Sequence, residues 1–384
     1  MTCEFIESDA ALREFCQTAA RQGRLAIDTE FVWTSTYYPQ LGLVQLSWDQ
    51  GHSALVDALA ISDPSPLREA IADPSMVKIL HEAASDLPIL RRWCGALPTR
   101  VFDTRIAAGF CGLTTAVSLS GLLESQLGVA LAKTETRTDW LQRPLSPAQL
   151  QYAAEDVAWL PLLHEALHEK IEKLGNLDWF KEEMSACEQE DYYAEPEPRE
   201  SWRRVSGMGS LSGAALAVLR ELAAWRESTA RSLNKARPRL LRDEQLIYAA
   251  QHQPKTLNDC RNIPNLWPRS VEKYGQDIVE AVRRGLETPP PEWPSLGNMP
   301  VDKRTLKTQA DRILNLVRKK AAAREIDPTL VAARREIEGL VLAVFRSRTR
   351  PERKALLNGW RYELLKPQID MILEEMAAVR QAGA

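Results

Sequence analysis

No stretch of this 384-residue chain approaches the roughly 18 uninterrupted apolar residues that a membrane helix needs, so no membrane span is expected. The first residues, with Glu4, Glu7 and Asp9, also lack the basic-then-apolar pattern of a secretory signal. The cytoplasm is therefore the expected location. None of the cysteines, at 3, 16, 94, 111, 187 and 260, stands in a C-x-x-C pair, which excludes the usual zinc-ribbon and dithiol signatures. They are expected to be reduced and mostly buried. No convincing residue-by-residue repeat joins the two helical regions in the second half of the chain.

What is present points to a large globular protein. A hydrophobic content of 45% beside 26% charged residues suits a water-exposed fold, and the length suits about two or three domains. The net charge of −3 hides an asymmetry. Residues 1–200 hold 16 basic and 31 acidic residues, while 201–384 hold 33 basic and 21 acidic, which is −15 against +12. A carboxylate-rich half joined to a basic half suits a metal enzyme with a nucleic-acid-binding appendage; two solvated surfaces of opposite sign are the alternative.

Two segments read as linkers. Residues 186–208 combine Glu188, Glu190, Asp191 and the run Glu195-Pro196-Glu197-Pro198 without apolar periodicity, and 287–300 carry Pro289, Pro290, Pro291, Pro294 and Pro300. They divide the chain into about 1–190, 210–286 and 302–380. In the first piece, Leu25-Ala26-Ile27, Val44–Trp48 and Ala54–Val56 read as three early strands, with Val77–Leu80 and Val101-Phe102 as later ones. Helical spacing marks 82–93, 104–111, 118–127 and one long helix over 147–174. A mixed α/β sheet with packed helices follows. The other two pieces are almost wholly helical: 211–232, 243–251 and 271–284 in one, and 303–324, 329–344, 350–357 and 364–379 in the other.

Three acidic motifs carry the chemistry. In Ile27-Asp28-Thr29-Glu30-Phe31 the two-residue period of a strand puts Asp28 and Glu30 on one side of the sheet, a pair that suits Mg²⁺ or Mn²⁺ between them. The alternative is one solvated carboxylate and one paired with a base. Asp86 falls in the first turns of the helix after His81-Glu82, where the helix dipole alone would favour it, and neither His81 nor Glu82 is assigned a role. Tyr152 and Asp156, four residues apart, share a helical face while Glu155 lies on a neighbouring one.

Asp28-x-Glu30, then Asp86, then Tyr152-x-x-x-Asp156 resembles the four-carboxylate, tyrosine-type (DEDDy) exonuclease superfamily. Lys133, Thr138-Asp139-Trp140, Arg143-Pro144-Leu145 and Tyr152-Ala153-Ala154 are similar to the ribonuclease D family in particular. Residues 210–286, above all Leu257–Pro264 before Val271–Gly275, resemble the HRDC module shared with RecQ-type helicases, although Pro264–Ser270 lacks the glycine-rich hairpin often found there. Residues 303–380 resemble a second, more divergent copy.

The resemblance implies an RNase H-like domain over about 1–180, followed by two all-α HRDC-like modules. It also implies a 3′-to-5′ exoribonuclease acting on transfer RNA precursors and other small structured RNAs. Asp28, Glu30, Asp86 and Asp156 would be ligands for two divalent ions, Mg²⁺ or Mn²⁺. Asp28 would bridge them, Glu30 and Asp156 would complete the nucleophile side, and Asp86 would serve the leaving-group side. Tyr152 would orient the attacking water. Its ordinary pKa of about 10 keeps it protonated at neutral pH, which argues against a role as base. Phe31, Trp33 and Tyr37 could stack on bases or pack as a hairpin. A DNA exonuclease and an inactive nucleic-acid-binding protein are the rival functions, and a monomer is the expected state.

Overall fold

Arg24–Val32 is the strand around which the catalytic sheet is built, and its burial shows why. Leu25, Ala26 and Ile27 are fully buried, as befits a central strand covered on both faces. The computed structural model describes residues 2–131, 138–295, 300–346 and 355–382; Lys133, Arg348 and Arg350 lie outside them. Among the described residues one sheet has six strands: β1 (Thr2–Ile6), β2 (Arg24–Val32), β3 (Gln40–Asp49), β4 (His52–Asp57), β5 (Val77–Leu80) and β6 (Val101–Asp103). Their order across the sheet is β1-β4-β3-β2-β5-β6. β3 and β4 pair antiparallel, whereas β1 pairs parallel with β4, and β5 pairs parallel with both β2 and β6.

The mixed α/β sheet is thus the one expected, with an addition. β1 was not anticipated: it is a five-residue edge strand in which Cys3, Glu4 and Phe5 are exposed, so no apolar run marks it. Among the described residues before 190, eight helices accompany the sheet: α1 (Asp9–Gln22), α2 (Ser65–Ala72), α3 (Ala83–Cys94), α4 (Thr104–Phe110), α5 (Leu119–Leu127), α6 (Pro147–Ala158), α7 (Leu160–Lys173) and α8 (Leu177–Ser185). The single helix expected over 147–174 is two, parted at Trp159. Pro161 has no amide hydrogen to give Val157, whose carbonyl accepts from Trp159 instead.

The chain forms two compact units. The first comprises residues 1–31, 41–193 and 299–384. Its later part holds α13 (Lys303–Ala323), α14 (Pro328–Val331), α15 (Arg334–Arg346), α16 (Gly359–Leu365) and α17 (Gln368–Ala382). These helices share one hydrophobic core with the sheet: Ile313, Leu340, Trp360 and Leu365 belong to the same buried cluster as Ile27, Phe110 and Phe180. Trp360 packs at a tilt against Phe110 with ring centroids 5.0 Å apart, and Arg361 holds Glu183 through both terminal guanidinium nitrogens. Asp327 ties the same helices down by accepting from the Thr115 amide at 2.7 Å.

The second unit comprises residues 32–40 and 194–298. Its helices are α9 (Ala214–Ser232), α10 (Asp243–His252), α11 (Leu257–Cys260) and α12 (Pro268–Glu287). α9 and α12 approach closely because Gly285 has no side chain: a Cβ there would stand 2.4 Å from the Val218 Cα. Thr256 and Asp259 form a capping box that starts α11, and Cys260 and Ile263 beyond it are buried in this unit's own core.

Candidate active site

The β2 strand pairs with β5 only over Arg24–Ala26, so its Asp28–Glu30 end runs on beyond that partner. The space at this end is where acidic side chains collect. Asp28, Glu30 and Asp156 each present a carboxylate oxygen, and these oxygens all lie within 4.8 Å of one another. Among the described residues this is the one group of three or more such side chains that could hold a metal ion.

Asp86 reaches the cluster from the first turn of α3 and is buried, with 4% of its surface exposed. Thr29, whose side chain lies between the two strand carboxylates in sequence, donates its hydroxyl to Asp86 at 2.5 Å. The start of α3 is itself held by Asp103, which accepts from the Ala83 amide at 2.8 Å and from the Arg105 amide of α4 at 2.8 Å. One buried carboxylate thereby caps two helices. Sequence reasoning passed over Thr29 and Asp103; the Asp-Thr-Arg start of α4 was the available sign of the latter.

Tyr152 and Asp156 come from α6, which begins at a full capping box formed by Ser146 and Gln149 with a proline at its first turn. The loop before it is fixed by Arg143. Its guanidinium donates twice to Asp57 at 2.7 Å, once to the Gly42 carbonyl at 2.8 Å and once to the Trp140 carbonyl at 2.9 Å. Gly42 is required here, since a Cβ would meet the Trp140 oxygen at 2.3 Å. Trp140 is buried, with its ring centroid 6.2 Å from that of Tyr152. Arg143 belonged to the family-like stretch, but its role as the clasp of this loop had not been read.

Electrostatics follow from putting four acids in one buried place. Burial, reinforced by the charges of Asp86, Asp156 and Glu30, pushes Asp28 well above the ordinary carboxylate range. Burial and the neighbouring Asp156 and Asp86 raise Glu30 to about 8. Asp86 is raised by burial to about 7, against the opposing hydrogen bond from Thr29. Asp156 is raised by burial to about 6, although the Tyr152 hydroxyl hydrogen-bonded to it pulls the other way. Tyr152 is raised too, by burial and then by the charge of Asp156, and so stays protonated. An all-oxygen, acidic set whose members oppose each other's ionisation is what a hard divalent cation fits.

All five residues singled out in the sequence are therefore in or beside this cluster. Tyr37 is placed otherwise: its hydroxyl is bonded to Glu227, Arg231 and Arg237 inside the second unit, which occupies the side chain as a packing element. Trp33 stays 60% exposed.

Known proteins resemble this chain along nearly its whole length. Residues 3–172 match the 3′-5′ exonuclease family model, and residues 215–282 match the HRDC domain. The chain is 34% identical to ribonuclease D of Desulfotalea psychrophila, over 94% of this chain and 96% of that one. It is 33% identical to ribonuclease D of Escherichia coli, over 98% and 99%. Its structure superposes on the crystal structure of Escherichia coli RNase D, described as an exoribonuclease involved in structured RNA processing, with a TM-score of 0.88, 32% identity and coverage of 98% and 99%. From the acidic cluster on its mixed sheet to its helical HRDC region, the chain belongs to the ribonuclease D family of 3′-to-5′ exoribonucleases.

Proposed function

We propose that the protein trims the 3′ ends of small structured RNAs, transfer RNA precursors among them, and releases nucleoside 5′-monophosphates. The observation that carries this reading is the convergence of Asp28, Glu30 and Asp156 oxygens within 4.8 Å, with Asp86 alongside. Asp28, Glu30, Asp86 and Asp156 would hold two divalent ions, Mg²⁺ or Mn²⁺, with Asp28 shared between them. Such ions supply an acidified water and stabilise charge on the departing oxygen.

The remaining work falls to the chain. Water oxygen bonds to phosphorus, the bond from phosphorus to the 3′ oxygen breaks, and that oxygen takes up a proton. Tyr152 stays protonated and gives its one hydroxyl proton to Asp156, so its oxygen is suited to accepting a hydrogen bond from the water and orienting it rather than to removing its proton. Thr29 fixes the Asp86 carboxylate, and Asp103 fixes the helix that carries it.

We further propose that the helical parts are modules over about 210–286 and 302–380, the second a divergent HRDC copy, and that the protein works in the cytoplasm as a monomer. The test is incubation of 5′-labelled RNA and DNA oligomers with the protein in Mg²⁺, in Mn²⁺ and with a chelator. A chelator-sensitive ladder that shortens from the 3′ end on RNA alone is expected. Equal shortening of DNA would move the substrate class, and products independent of metal would refute the mechanism.

A further inference from the structure

His81 and Glu82 join β5 to α3, the helix that carries Asp86 in its first turn. Glu82 adopts a left-handed backbone, φ 74° and ψ 53°, where the residue before a helix is ordinarily extended. A residue with a Cβ is disfavoured in that region and persists there only where its surroundings hold it. Glycine would take the same turn freely, whereas glutamate needs anchors.

The start of α4 supplies them to three consecutive residues. His81 Nδ1 lies 2.8 Å from the Thr104 hydroxyl oxygen. The Glu82 amide donates to Asp103 at 3.3 Å, and the Ala83 amide donates to the same carboxylate at 2.8 Å. The Glu82 carboxylate forms an ion pair with Arg105 Nη1 at 2.6 Å, and Arg105 is aimed by its Nε, which donates to the Thr115 carbonyl at 2.8 Å. Residues 81–83 are thus matched against 103–105. The ion pair is the open member of this set, with 53% of the Glu82 side chain and 26% of the Arg105 side chain exposed, so it adds little to the stability of the whole unit. What it restrains is the one turn whose backbone angles set the direction of α3.

We infer that Glu82 and Arg105 are positioning residues: their pair holds the left-handed turn that aims α3, and so sets where the Asp86 carboxylate stands as a metal ligand. This rests on the metal-site reading of the acidic cluster and adds two residues that touch neither the ions nor the RNA. Groups that orient a ligand from behind in this way change metal affinity by roughly 10–100-fold.

The test compares the full-length protein with Arg105→Gln, Glu82→Asn and the double variant. Three quantities are measured: Mn²⁺ binding by calorimetric titration without RNA, binding of a single-stranded RNA in chelator, and Tm. Asparagine tolerates left-handed backbone better than other side chains, so Glu82→Asn keeps the turn without the pair. Arg105→Gln should weaken Mn²⁺ binding about tenfold, with Tm and RNA affinity little changed. By charge alone, removing a cation beside the site would tighten Mn²⁺ binding, so a weakening reports geometry. Glu82→Asn should bind Mn²⁺ nearly as the unsubstituted protein does, and the double variant should recover to within about threefold of it. Mn²⁺ binding that is unchanged or tighter in Arg105→Gln would overturn the inference. So would a loss of RNA affinity in that variant, which would make Arg105 a contact for the strand, or a double variant as impaired as Arg105→Gln alone. Each of these outcomes leaves the trimming activity standing. An unsubstituted protein that bound no Mn²⁺ would refute the metal-site reading, and this inference with it.

Discussion

Asp28 and Glu30 sit two residues apart on a strand whose preceding residues are fully buried, where the pair is relieved either by protonation or, once both are ionised, by a cation. The raised Glu30, Asp86 and Asp156, at about 8, 7 and 6, fix the sign of a pH effect. A carboxyl raised in the folded state favours the protonated form there. Its contribution to stability is complete below the ordinary carboxylate value of about 4 and is lost as pH rises through 6 to 8. The metal-free protein should therefore lose stability from this site over that interval. Mn²⁺ or Mg²⁺, which needs the carboxylates ionised, should raise Tm more at pH 8 than at pH 6. Thermal melts with metal and with chelator at both pH values check this; an equal or smaller metal shift at pH 8 would contradict it. Tyr152→Phe removes one hydrogen bond and no proposed ligand, so kcat should fall by about tenfold, less than for loss of any clustered carboxylate. A loss as deep as that of a carboxylate variant would show that Tyr152 does more than position.

At the scale of elements, the positions of β2, α3 and α6 were legible because apolar runs and caps mark them. The structure departs where two elements depend on a third. The break at Trp159 follows from Pro161, a signal present in the sequence but outweighed there by the continuous helical spacing on either side. The Arg143–Asp57 clasp joins positions 86 residues apart, and no local pattern announces it. Burial alone would raise Asp57, but the hydrogen bonds from Arg143 hold it below the ordinary carboxylate range. Arg143→Ala leaves a nearly buried carboxylate unpaired and frees the loop that starts α6. A quarter of the Arg143 side chain reaches solvent, so the expected cost is about 2–3 kcal/mol, below that of a fully buried pair. Denaturant melts and initial rates should show lower stability together with lower kcat. Unaltered rates would mean that α6 holds Tyr152 and Asp156 without this clasp.

At the scale of the whole molecule, the sequence revealed charge but not its pairing. Arg203, Arg237 and Arg334 stand in the basic runs Arg203-Arg204, Arg237-x-Arg239 and Arg334-Arg335, yet they are bonded to Glu200, Glu227 and to Asp311 with Glu338. A run of arginines reads the same whether its partners are phosphates or carboxylates of distant helices. Linker composition likewise marked the cuts near 190 and 300 without showing that residues 303–382 share a core with the sheet, since core sharing is a matter of long-range packing. Trp360 tests that sharing: it is 1% exposed, packs at a tilt against Phe110 and donates to Glu183 at 2.8 Å. Trp360→Ala should destabilise the first unit by about 3–5 kcal/mol, read as a lower denaturation midpoint. A shift below about 1 kcal/mol would mean that the C-terminal helices contribute little to that core.

In the function proposed above, the Asp28, Glu30 and Asp156 cluster performs the hydrolysis. Single-turnover cleavage of a 5′-labelled RNA by the unsubstituted protein, Asp28→Asn and Asp156→Asn, with RNA affinity measured alongside, tests it most directly. Each substitution should lower the cleavage rate by several orders of magnitude and leave Kd within a few-fold, because the lost carboxylate acts on the transition state. A variant that kept more than about a tenth of the original rate while still binding RNA would place the chemistry elsewhere in the molecule.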